Sequence, residues 1–374
     1  MPHGSPVGPL LAALDAVLHD EAPALLPLGA DQSDAVALRA GEPIDADVAV
    51  VATTSGTTGP PKGALLTAAA LTASAVATHD RLGGPGRWLL ALPPYHIAGI
   101  QVLVRSLLAG SDPVEMDVST GFDISQLPSA VDELGSGRRY TSLVATQLAK
   151  ALGDPVATAA LAGLDAVLLG GGPAPGPVLA GAAAAGITVV RTYGMSETAG
   201  GCVYDGIPLN GVRLRLDDGR IVLGGPTLAK GYRNPPDPDP FAEAGWFRTD
   251  DLGMVDDSGV LSVLGRVDDA ISTGGLTVLP QPVEAALRTH PAVADCAVFG
   301  LADERLGQRV VAAVVLVDGS PAPSLEQLRA QVTQSLDHTA APREVHVVDA
   351  LPLRGIGKVD RAALIQLTSA RRMT

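Results

Sequence analysis

The sequence contains few cysteines and no excess of basic residues. Cys202 and Cys296 lie far apart in apolar surroundings without metal-ligand spacing, which favours buried thiols in a reducing compartment. Lysine and arginine total 26, whereas aspartate and glutamate total 40, so the net charge is −14. Nucleic acid and anionic membrane surfaces are therefore not expected as main partners, because binding either one requires a basic face.

Long apolar segments are also missing. The longest apolar and glycine-rich run, residues 178–190, is shorter than the roughly 20 residues that cross a bilayer. Residues 1–26 carry acids and lack the basic start and apolar centre of a signal peptide. We therefore expect a cytoplasmic protein without a membrane span. Its 374 residues and 47% hydrophobic content predict a large core and two or more domains.

Lysine is scarce, and two of the lysines lie in glycine-flanked loops. The lysines of the chain are Lys62, Lys150, Lys230 and Lys358. Residues 53–63, between an apolar run and an alanine-rich segment, combine glycines, hydroxyls and one lysine. Glycine brings backbone N–H groups close to an anion, and hydroxyls and lysine add donors. This composition predicts a phosphate-binding loop whose ligands are Thr54, Ser55, Gly56, Thr57, Thr58, Gly59 and Lys62.

Two other interpretations apply to this loop. The Walker phosphate loop ends in Gly-Lys followed by Ser or Thr, whereas Lys62 lies between Pro61 and Gly63, so that pattern is excluded. A flexible surface turn has a similar composition and stays an alternative. The scarcity of lysine elsewhere in the chain favours the phosphate-binding loop.

The pattern of helical and extended segments predicts the fold class. Between residues 122 and 191 the two alternate, which indicates a parallel sheet covered by helices. From residue 211 to 264 the hydrophobic period changes to two, which indicates an antiparallel β subdomain. The rest has the pattern and size of a small α+β domain. We therefore expect a large α/β N-terminal domain, with helix-covered sheets plus an antiparallel β subdomain, and a smaller α+β C-terminal domain.

Two polar segments follow strands of the predicted parallel sheet. Gly171 and Gly172 end one strand, at the edge where open α/β sheets bind ligands, although a simple tight turn is the alternative. The next strand leads to Tyr193-Gly194-Met195-Ser196-Glu197-Thr198, which is not a serine nucleophile elbow because Thr198 replaces the required glycine. These residues suit a nucleotide instead, with Tyr193 facing adenine, Ser196 donating to the α-phosphate and Glu197 binding Mg²⁺ through hard oxygens.

These stretches resemble the adenylate-forming superfamily, which includes acyl- and aryl-CoA ligases, peptide-synthetase adenylation domains and luciferases. Further matches are residues 245–253, 264–269 and 353–361. The resemblance implies an enzyme that joins a carboxylic acid to the α-phosphate of ATP with Mg²⁺ and then transfers the acyl group to CoA. It also implies a mobile arrangement, with residues 1–264 as the N-terminal domain, 265–268 as the hinge and 269–374 as the C-terminal domain.

The resemblance assigns a role to each matching residue. Lys358, in a Gly-Ile-Gly-Lys loop, would be the catalytic lysine, and an ordinary solvated lysine is the alternative. Asp251 would hold the ribose hydroxyls, although Asp250 stands at a position where relatives have glycine. A salt bridge would explain Arg266 and Asp268 equally well. The remaining roles are Gly171 and Gly172 along the adenine, Arg266 at the nucleotide, Asp268 as the hinge, Gly274 and Gly275 at the CoA tunnel, and His96 beside the carboxylate and thioester path.

The nature of the acid is suggested by residues 96–110 and 141–148. Both segments resemble the o-succinylbenzoate-CoA ligases of menaquinone biosynthesis, especially their short actinobacterial form. The resemblance implies an aromatic dicarboxylate, which His96, Arg105, Ser142 and Gln147 would orient. Arg105 lies on an apolar helix, where a buried arginine needs an anionic partner. The region before the glycine loop is shorter than in typical members, so we expect part of one subdomain to be missing.

Two rival functions are compatible with the sequence. A fatty-acyl or other aryl-CoA ligase would share the general motifs. A nucleotide-binding regulatory protein without turnover would not need Lys358, Glu197 and Asp251 together, which argues against it. The expected partners are a small carboxylic acid, ATP and CoA, and the chain is compatible with a homodimer.

Overall fold

The computed structural model describes residues 7–29, 32–54, 61–354 and 358–370. The chain divides into two compact units, the first formed by Met1–Arg215 and Val222–Thr249 and the second by Leu216–Ile221 and Asp250–Thr374. None of the helices in the described residues combines the length and apolar character that crossing a bilayer requires.

Helices and strands alternate along much of the first unit. The helices are α1 (Gly8–Leu18), α2 (Ser33–Ala37), α3 (Ala68–Arg81), α4 (Ile97–Leu108), α5 (Leu127–Glu133), α6 (Ala145–Leu152), α7 (Pro155–Ala162) and α8 (Gly176–Ala184). The strands are β1 (Val48–Ala52), β2 (Ala64–Thr67), β3 (Arg87–Leu90), β4 (Val114–Glu115), β5 (Arg139–Val144), β6 (Ala166–Gly170), β7 (Val189–Met195), β8 (Gly200–Tyr204) and β9 (Ile207–Pro208). Short 3-10 helices are formed by Ile124–Gln126 and Ser196–Thr198.

The main sheet of this unit is buried on both faces. Its order is β4-β3-β5-β6-β7-β8-β9, parallel from β4 to β7 and antiparallel beyond. In β6, Ala166 and Leu168 pack in one core with α3 and α4, whereas Val167 and Leu169 pack in another with α5 to α8. Burial on both sides explains the continuous apolar run in the sequence. The predicted helix-covered parallel sheet is confirmed.

Two helices show what local sequence signals can specify. Thr67 caps α3, because its hydroxyl accepts a bond from the Ala70 amide at 3.0 Å. Helix α7 was not predicted, although its signal is present at Asp154 and Pro155. The Asp154 carboxylate caps the amides of residues 156 and 157, and Pro155 occupies the first helical position.

Four strands follow along the chain and form one sheet in sequence order. They are β10 (Arg213–Asp217), β11 (Arg220–Gly224), β12 (Trp246–Val255) and β13 (Leu261–Arg266). Strands β12 and β13 pair in antiparallel orientation, with Asp251 opposite Arg266. The expected antiparallel part of the fold is therefore present.

The second unit continues as a small α+β fold, as predicted. Strands β16 and β17 form a long antiparallel hairpin in a sheet of order β15-β14-β17-β16, and β18 joins β17 in parallel. The hinge expected at residues 265–268 concerns a movement and stays a prediction. The strands are β14 (Ile271–Thr273), β15 (Leu276–Val278), β16 (Val293–Asp303), β17 (Gly307–Leu316), β18 (Glu344–Val347), β19 (Leu353–Arg354) and β20 (Lys358–Val359), and the helices are α9 (Pro280–Leu287), α10 (Leu325–Thr333) and α11 (Arg361–Ala370).

Both cysteines are buried, which confirms that part of the sequence prediction. Cys202 lies in β8 and Cys296 in β16. Burial raises the pKa of each thiol to about 12. Neither thiol is therefore an effective nucleophile near neutral pH, because the thiolate is the reactive form.

The double-sided burial of β6 makes a stability prediction. Leu168 is 3% exposed, and Leu168→Ala should lower the free energy of unfolding by about 2–5 kcal/mol through lost apolar contact and a cavity. Urea denaturation can be followed by tryptophan fluorescence, because Trp88 and Trp246 both lie in the first unit. Val156→Ala is the matched control, since Val156 is 63% exposed on α7. An equal loss of unfolding free energy in the two variants would contradict the burial of β6 on both faces.

Candidate functional site

The glycine-rich loop of the first unit is closed by a short hairpin. Strands β1 and β2 pair in antiparallel orientation, and Ala52 lies opposite Ala64, so both ends of the loop are held together. The hydroxyl of Thr54 is buried, and its Oγ1 has no hydrogen-bond partner among the described residues. Leaving a buried hydroxyl unpaired is costly, so this position suits a ligand acceptor. Ser55, Gly56, Thr57, Thr58 and Gly59 lie outside the described residues.

The Ser196–Thr198 turn lies directly against the entrance of this loop. The Ser196 hydroxyl donates a 3.0 Å hydrogen bond to the Thr53 carbonyl. Strand β7 returns immediately as β8, and a Cβ on Gly194 would lie 2.1 Å from the Gly200 carbonyl oxygen, so only glycine fits there. A strand, and no helix, follows the turn, which confirms that it is not a nucleophile elbow.

The carboxylate of Glu197 is buried and contacts a tyrosine that in turn lies near a lysine. Glu197 is 8% exposed, and the Tyr232 hydroxyl donates a 2.7 Å bond to its Oε1. The Lys62 ammonium lies 5.5 Å from the centre of the Tyr232 ring. Lys62, Tyr232 and Glu197 therefore form one cluster. Tyr232 could not be predicted from the sequence, since nothing in its local pattern indicates a partner 35 positions away.

The glycines after β6 and the tyrosine in β7 share one edge of the main sheet. Strands β6 and β7 are parallel neighbours, and the Thr192 hydroxyl lies 3.3 Å from the Leu169 carbonyl. Gly171 has φ +83°, and a Cβ on Gly172 would meet no heavy atom within 4 Å. Tyr193 follows Thr192 directly. The structure thus brings the predicted adenine-binding residues to the carboxyl end of adjacent parallel strands, where such sheets bind ligands.

His96 lies at the start of a helix that packs on Gly200, where strand β8 begins after the Ser196–Thr198 turn. It occupies the N-cap position of α4, and its ring centre is 4.7 Å from that of Tyr95. One turn further along, Gln101 leaves so little space at Gly200 that a Cβ there would lie 3.1 Å from the Gln101 Cγ. The structure therefore brings the helix that carries His96 and the turn that carries Glu197 together.

Arg105, further along α4, is buried among aromatic side chains. It is 3% exposed, and its guanidinium lies 4.9 Å from the Trp88 ring centre and 3.5 Å from the Tyr204 hydroxyl. Its Nε has no hydrogen-bond partner among the described residues. Burial lowers the pKa of Arg105, and burial followed by the charge of Arg105 lowers the pKa of nearby His79 to about 4. His79 is therefore neutral near pH 7, and of the two side chains only Arg105 carries a positive charge.

The two remaining predicted substrate residues differ in their surroundings. Ser142 is buried in β5, opposite Leu168 of β6. The side-chain amide of Gln147 is occupied by the backbone, because its Oε1 accepts from the Val144 amide at 2.9 Å and its Nε2 donates to the Ala91 carbonyl at 2.8 Å. These bonds join the start of α6 to the end of β3 and explain this glutamine without a substrate.

In the second unit, Arg266 is the centre of an acidic cluster. Its guanidinium lies 3.1 Å from Asp268, 3.5 Å from Asp250 and 3.9 Å from Asp251. Burial opposes the charged form, but the hydrogen bond to Asp268 and the nearby carboxylates raise the pKa of Arg266. Asp250 also lies 3.5 Å from Arg220. Two guanidinium groups therefore compensate the negative charge of Asp250.

The structure places the other predicted residues of the second unit in two hairpins. Gly274 and Gly275 form the turn between β14 and β15, with φ +59° and +82°, which glycine adopts without strain. The backbone of Lys358 begins β20 and pairs with Arg354 of β19. The Lys358 side chain lies outside the described part of the structure.

Comparison with known proteins identifies the family. The profile of the AMP-binding enzyme family matches residues 11–233, and that of the AMP-binding enzyme C-terminal domain matches residues 282–358. A protein of Mycobacterium tuberculosis (strain ATCC 25618 / H37Rv) named "Probable 2-succinylbenzoate--CoA ligase" is 72% identical over 370 residues, which are 98% of this chain and 97% of that protein. The 2-succinylbenzoate–CoA ligase of Geobacillus sp. (strain WCH70) is 36% identical, over 86% of this chain and 69% of that enzyme.

Solved structures agree with the sequence comparison. The o-succinylbenzoate CoA synthetase of Bacillus subtilis, in complex with the acyl-adenylate intermediate OSB-AMP, matches with a TM-score of 0.73 and 32% identity, covering 85% of this chain and 69% of that one. The same enzyme in complex with ATP and magnesium ion matches with a TM-score of 0.72 and 32% identity, covering 85% and 70%. The chain therefore belongs to the AMP-binding enzyme family.

Proposed function

We propose that this chain is a 2-succinylbenzoate–CoA ligase, which activates the acid as an acyl-adenylate and transfers it to CoA. The observation that carries the proposal is the bond from Ser196 to the Thr53 carbonyl. It holds the turn with Glu197 against the phosphate-binding loop within a single unit. The proposal is also supported by the 72% identity to the mycobacterial relative.

The residues at this site fit a magnesium ion carried in with ATP. Among the described residues, no group of three or more His, Cys, Asp or Glu side chains could form a metal cage. A single buried carboxylate beside a phosphate-binding loop is the arrangement that suits Mg²⁺, which keeps waters and substrate phosphates as its other ligands. Glu197 would hold the ion. When bound, Mg²⁺ supplies positive charge that offsets the phosphate oxygens.

In the first half-reaction, the acid's carboxylate oxygen attacks the α-phosphorus of ATP, and the bond to the pyrophosphate oxygen breaks. The protein must bring two anions together. Thr54, Lys62 and the rest of the loop would hold the β- and γ-phosphates, and Lys358 would stabilise charge that develops at the α-phosphate. The Ser196 hydroxyl would exchange its bond to the Thr53 carbonyl for one to the α-phosphate, because it has only one proton to donate. Gly171, Gly172 and Tyr193 would enclose the adenine, and Asp251 and Arg266 would bind the sugar side of the nucleotide.

In the second half-reaction, the CoA thiol attacks the acyl carbonyl, loses its proton, and AMP leaves. We propose that the C-terminal domain, residues 269–374, turns about Asp268 between the two steps and brings Gly274 and Gly275 to the pantetheine chain. His96, at the start of α4, would line the path of the carboxylate and thioester. We further propose a role in menaquinone biosynthesis in the cytoplasm. Size-exclusion chromatography will test whether the chain forms a homodimer.

The function is tested by presenting the purified protein with ATP, Mg²⁺, CoA and a panel of acids. We expect pyrophosphate release and an acyl-CoA product with o-succinylbenzoate in preference to benzoate or fatty acids. Preference for another acid would favour the rival acyl- or aryl-CoA ligase. Tight ATP binding without pyrophosphate release for any acid would favour a regulatory nucleotide-binding protein.

Lys358→Ala should separate the two half-reactions. Loss of the lysine should slow acyl-adenylate formation by about 10²–10³-fold, because charge at the α-phosphate is no longer stabilised. Attack of CoA on chemically supplied acyl-adenylate should be spared, as measured by acyl-CoA formation without ATP. Lys150→Ala is the matched control, since Lys150 is exposed and donates to the Phe122 carbonyl. Equal loss of both half-reactions would contradict the assignment of Lys358.

Arg105 is the candidate to bind the carboxylate that is not activated. Its charge is buried and its Nε has no partner within the described part of the chain, which suits an anionic ligand. Arg105→Gln should raise the KM for o-succinylbenzoate by about ten- to hundredfold, the equivalent of one charge-assisted hydrogen bond, and leave the KM for ATP unchanged. A monocarboxylate analogue lacking the second acid should be used equally by both enzymes. A lower Tm with an unchanged KM would show that Arg105 is structural.

A further inference from the structure

We propose that Tyr232 is a positioning residue that orients the Glu197 carboxylate toward the divalent cation bound with ATP. This inference rests on the proposed function, because it assumes that Glu197 binds the ion. Tyr232 is 8% exposed, and its hydroxyl donates to Glu197 Oε1 at 2.7 Å. A short bond from a neutral donor to a buried carboxylate is strong and fixes the plane of that carboxylate.

The backbone around Tyr232 is joined to both components of the phosphate site. The Ala229 amide donates to the Glu197 carbonyl at 2.9 Å. Gly231 accepts from the Leu65 amide at 3.0 Å, and Tyr232 forms a bridge with Ala64. Residues 229–232 are thus bonded both to the turn that carries Glu197 and to β2, the strand that follows the glycine-rich loop.

Two further residues of the same segment extend this attachment. The Asn234 amide donates to the Lys62 carbonyl at 2.9 Å, and its side chain donates to the Pro61 carbonyl at the same distance. The Arg233 guanidinium donates to four backbone carbonyls of a neighbouring turn, which belong to Leu38, Arg39, Glu42 and Pro43. Many independent bonds therefore fix the position of the Tyr232 Cα relative to Glu197.

The ring of Tyr232 is held as firmly as its backbone. Phe241 packs against it edge-on, with ring centres 5.3 Å apart and an interplanar angle of 75°. The Lys62 ammonium lies 5.5 Å from the ring centre. One side chain therefore contacts both charged groups that the proposed function places around the phosphates, the Lys62 cation and the Glu197 anion.

The roles of the hydroxyl and the ring can be separated by substitution. Tyr232→Phe removes only the hydroxyl and keeps the ring contacts with Phe241 and Lys62. Binding of Mn²⁺, used as the probe ion, can be measured by electron paramagnetic resonance in the presence of a non-hydrolysable ATP analogue. We expect Tyr232→Phe to weaken Mn²⁺ binding by about ten- to hundredfold, the usual effect of losing a partner of a metal ligand. The concentration of Mg²⁺ that gives a half-maximal rate of pyrophosphate release should rise by a similar factor.

Tyr140→Phe is the matched control for this experiment. Its hydroxyl is buried and bonded to the Leu82 and Gly84 carbonyls in the same unit, so it reports the general effect of removing a buried phenol. A change in Tm for Tyr232→Phe with Mn²⁺ binding equal to that of the wild type would overturn the inference. If Glu197→Gln abolishes Mn²⁺ binding and Tyr232→Phe does not change it, only the role of Tyr232 is wrong. If the wild type binds no Mn²⁺ with the nucleotide, the proposed function is wrong as well.

Discussion

An acidic chain that binds a polyphosphate must concentrate hydrogen-bond donors and positive charge at one place. With a net charge of −14, this protein has no general field that attracts anions. The Ser196–Thr53 bond meets the constraint locally, because it joins the turn with Glu197 to a loop rich in hydroxyls and N–H groups. In the proposed function a cation separates this carboxylate from the phosphates, so the proposed site would depend on an ion that arrives with the substrate.

The main sheet makes this local arrangement rigid. Strand β6 is buried on both faces, and Tyr193 in β7 is fixed by its pairing with Val203 of β8. Loops placed at the carboxyl end of such a sheet can therefore be polar and glycine-rich without losing their position. Glycine is needed at both ends of the turn, because a Cβ on Gly194 would clash with the Gly200 carbonyl and Gly200 itself has φ +97°.

Local chemistry was predictable from the sequence, whereas long-range pairing was not. Thr67 as a helix cap, the continuous apolar strands and the paired glycines of the β14–β15 turn each depend on neighbouring residues, so their patterns predict them. The bond between Tyr232 and Glu197 joins residues 35 positions apart, and that between Ser196 and Thr53 joins residues 143 apart. Such pairs are set by the packing of whole elements. The ion pairs of Asp250 could not be predicted either, because Arg220 and Arg266 approach it only after the strands pair.

Arginine and lysine have different roles in this chain, which explains why the positions of the lysines point to a ligand site. Arginines make the forked structural contacts of this chain, as Arg233 does with four carbonyls and Arg361 with Glu284 and Asp269. A planar guanidinium suits such fixed geometry, whereas a lysine is a compact charge on a flexible stem that can follow a phosphate. Lys150 and Lys230 are bonded at the surface. Because arginine serves most structural needs, the position of Lys62 and Lys358 next to a glycine in a loop favours contact with a ligand over contact with the fold.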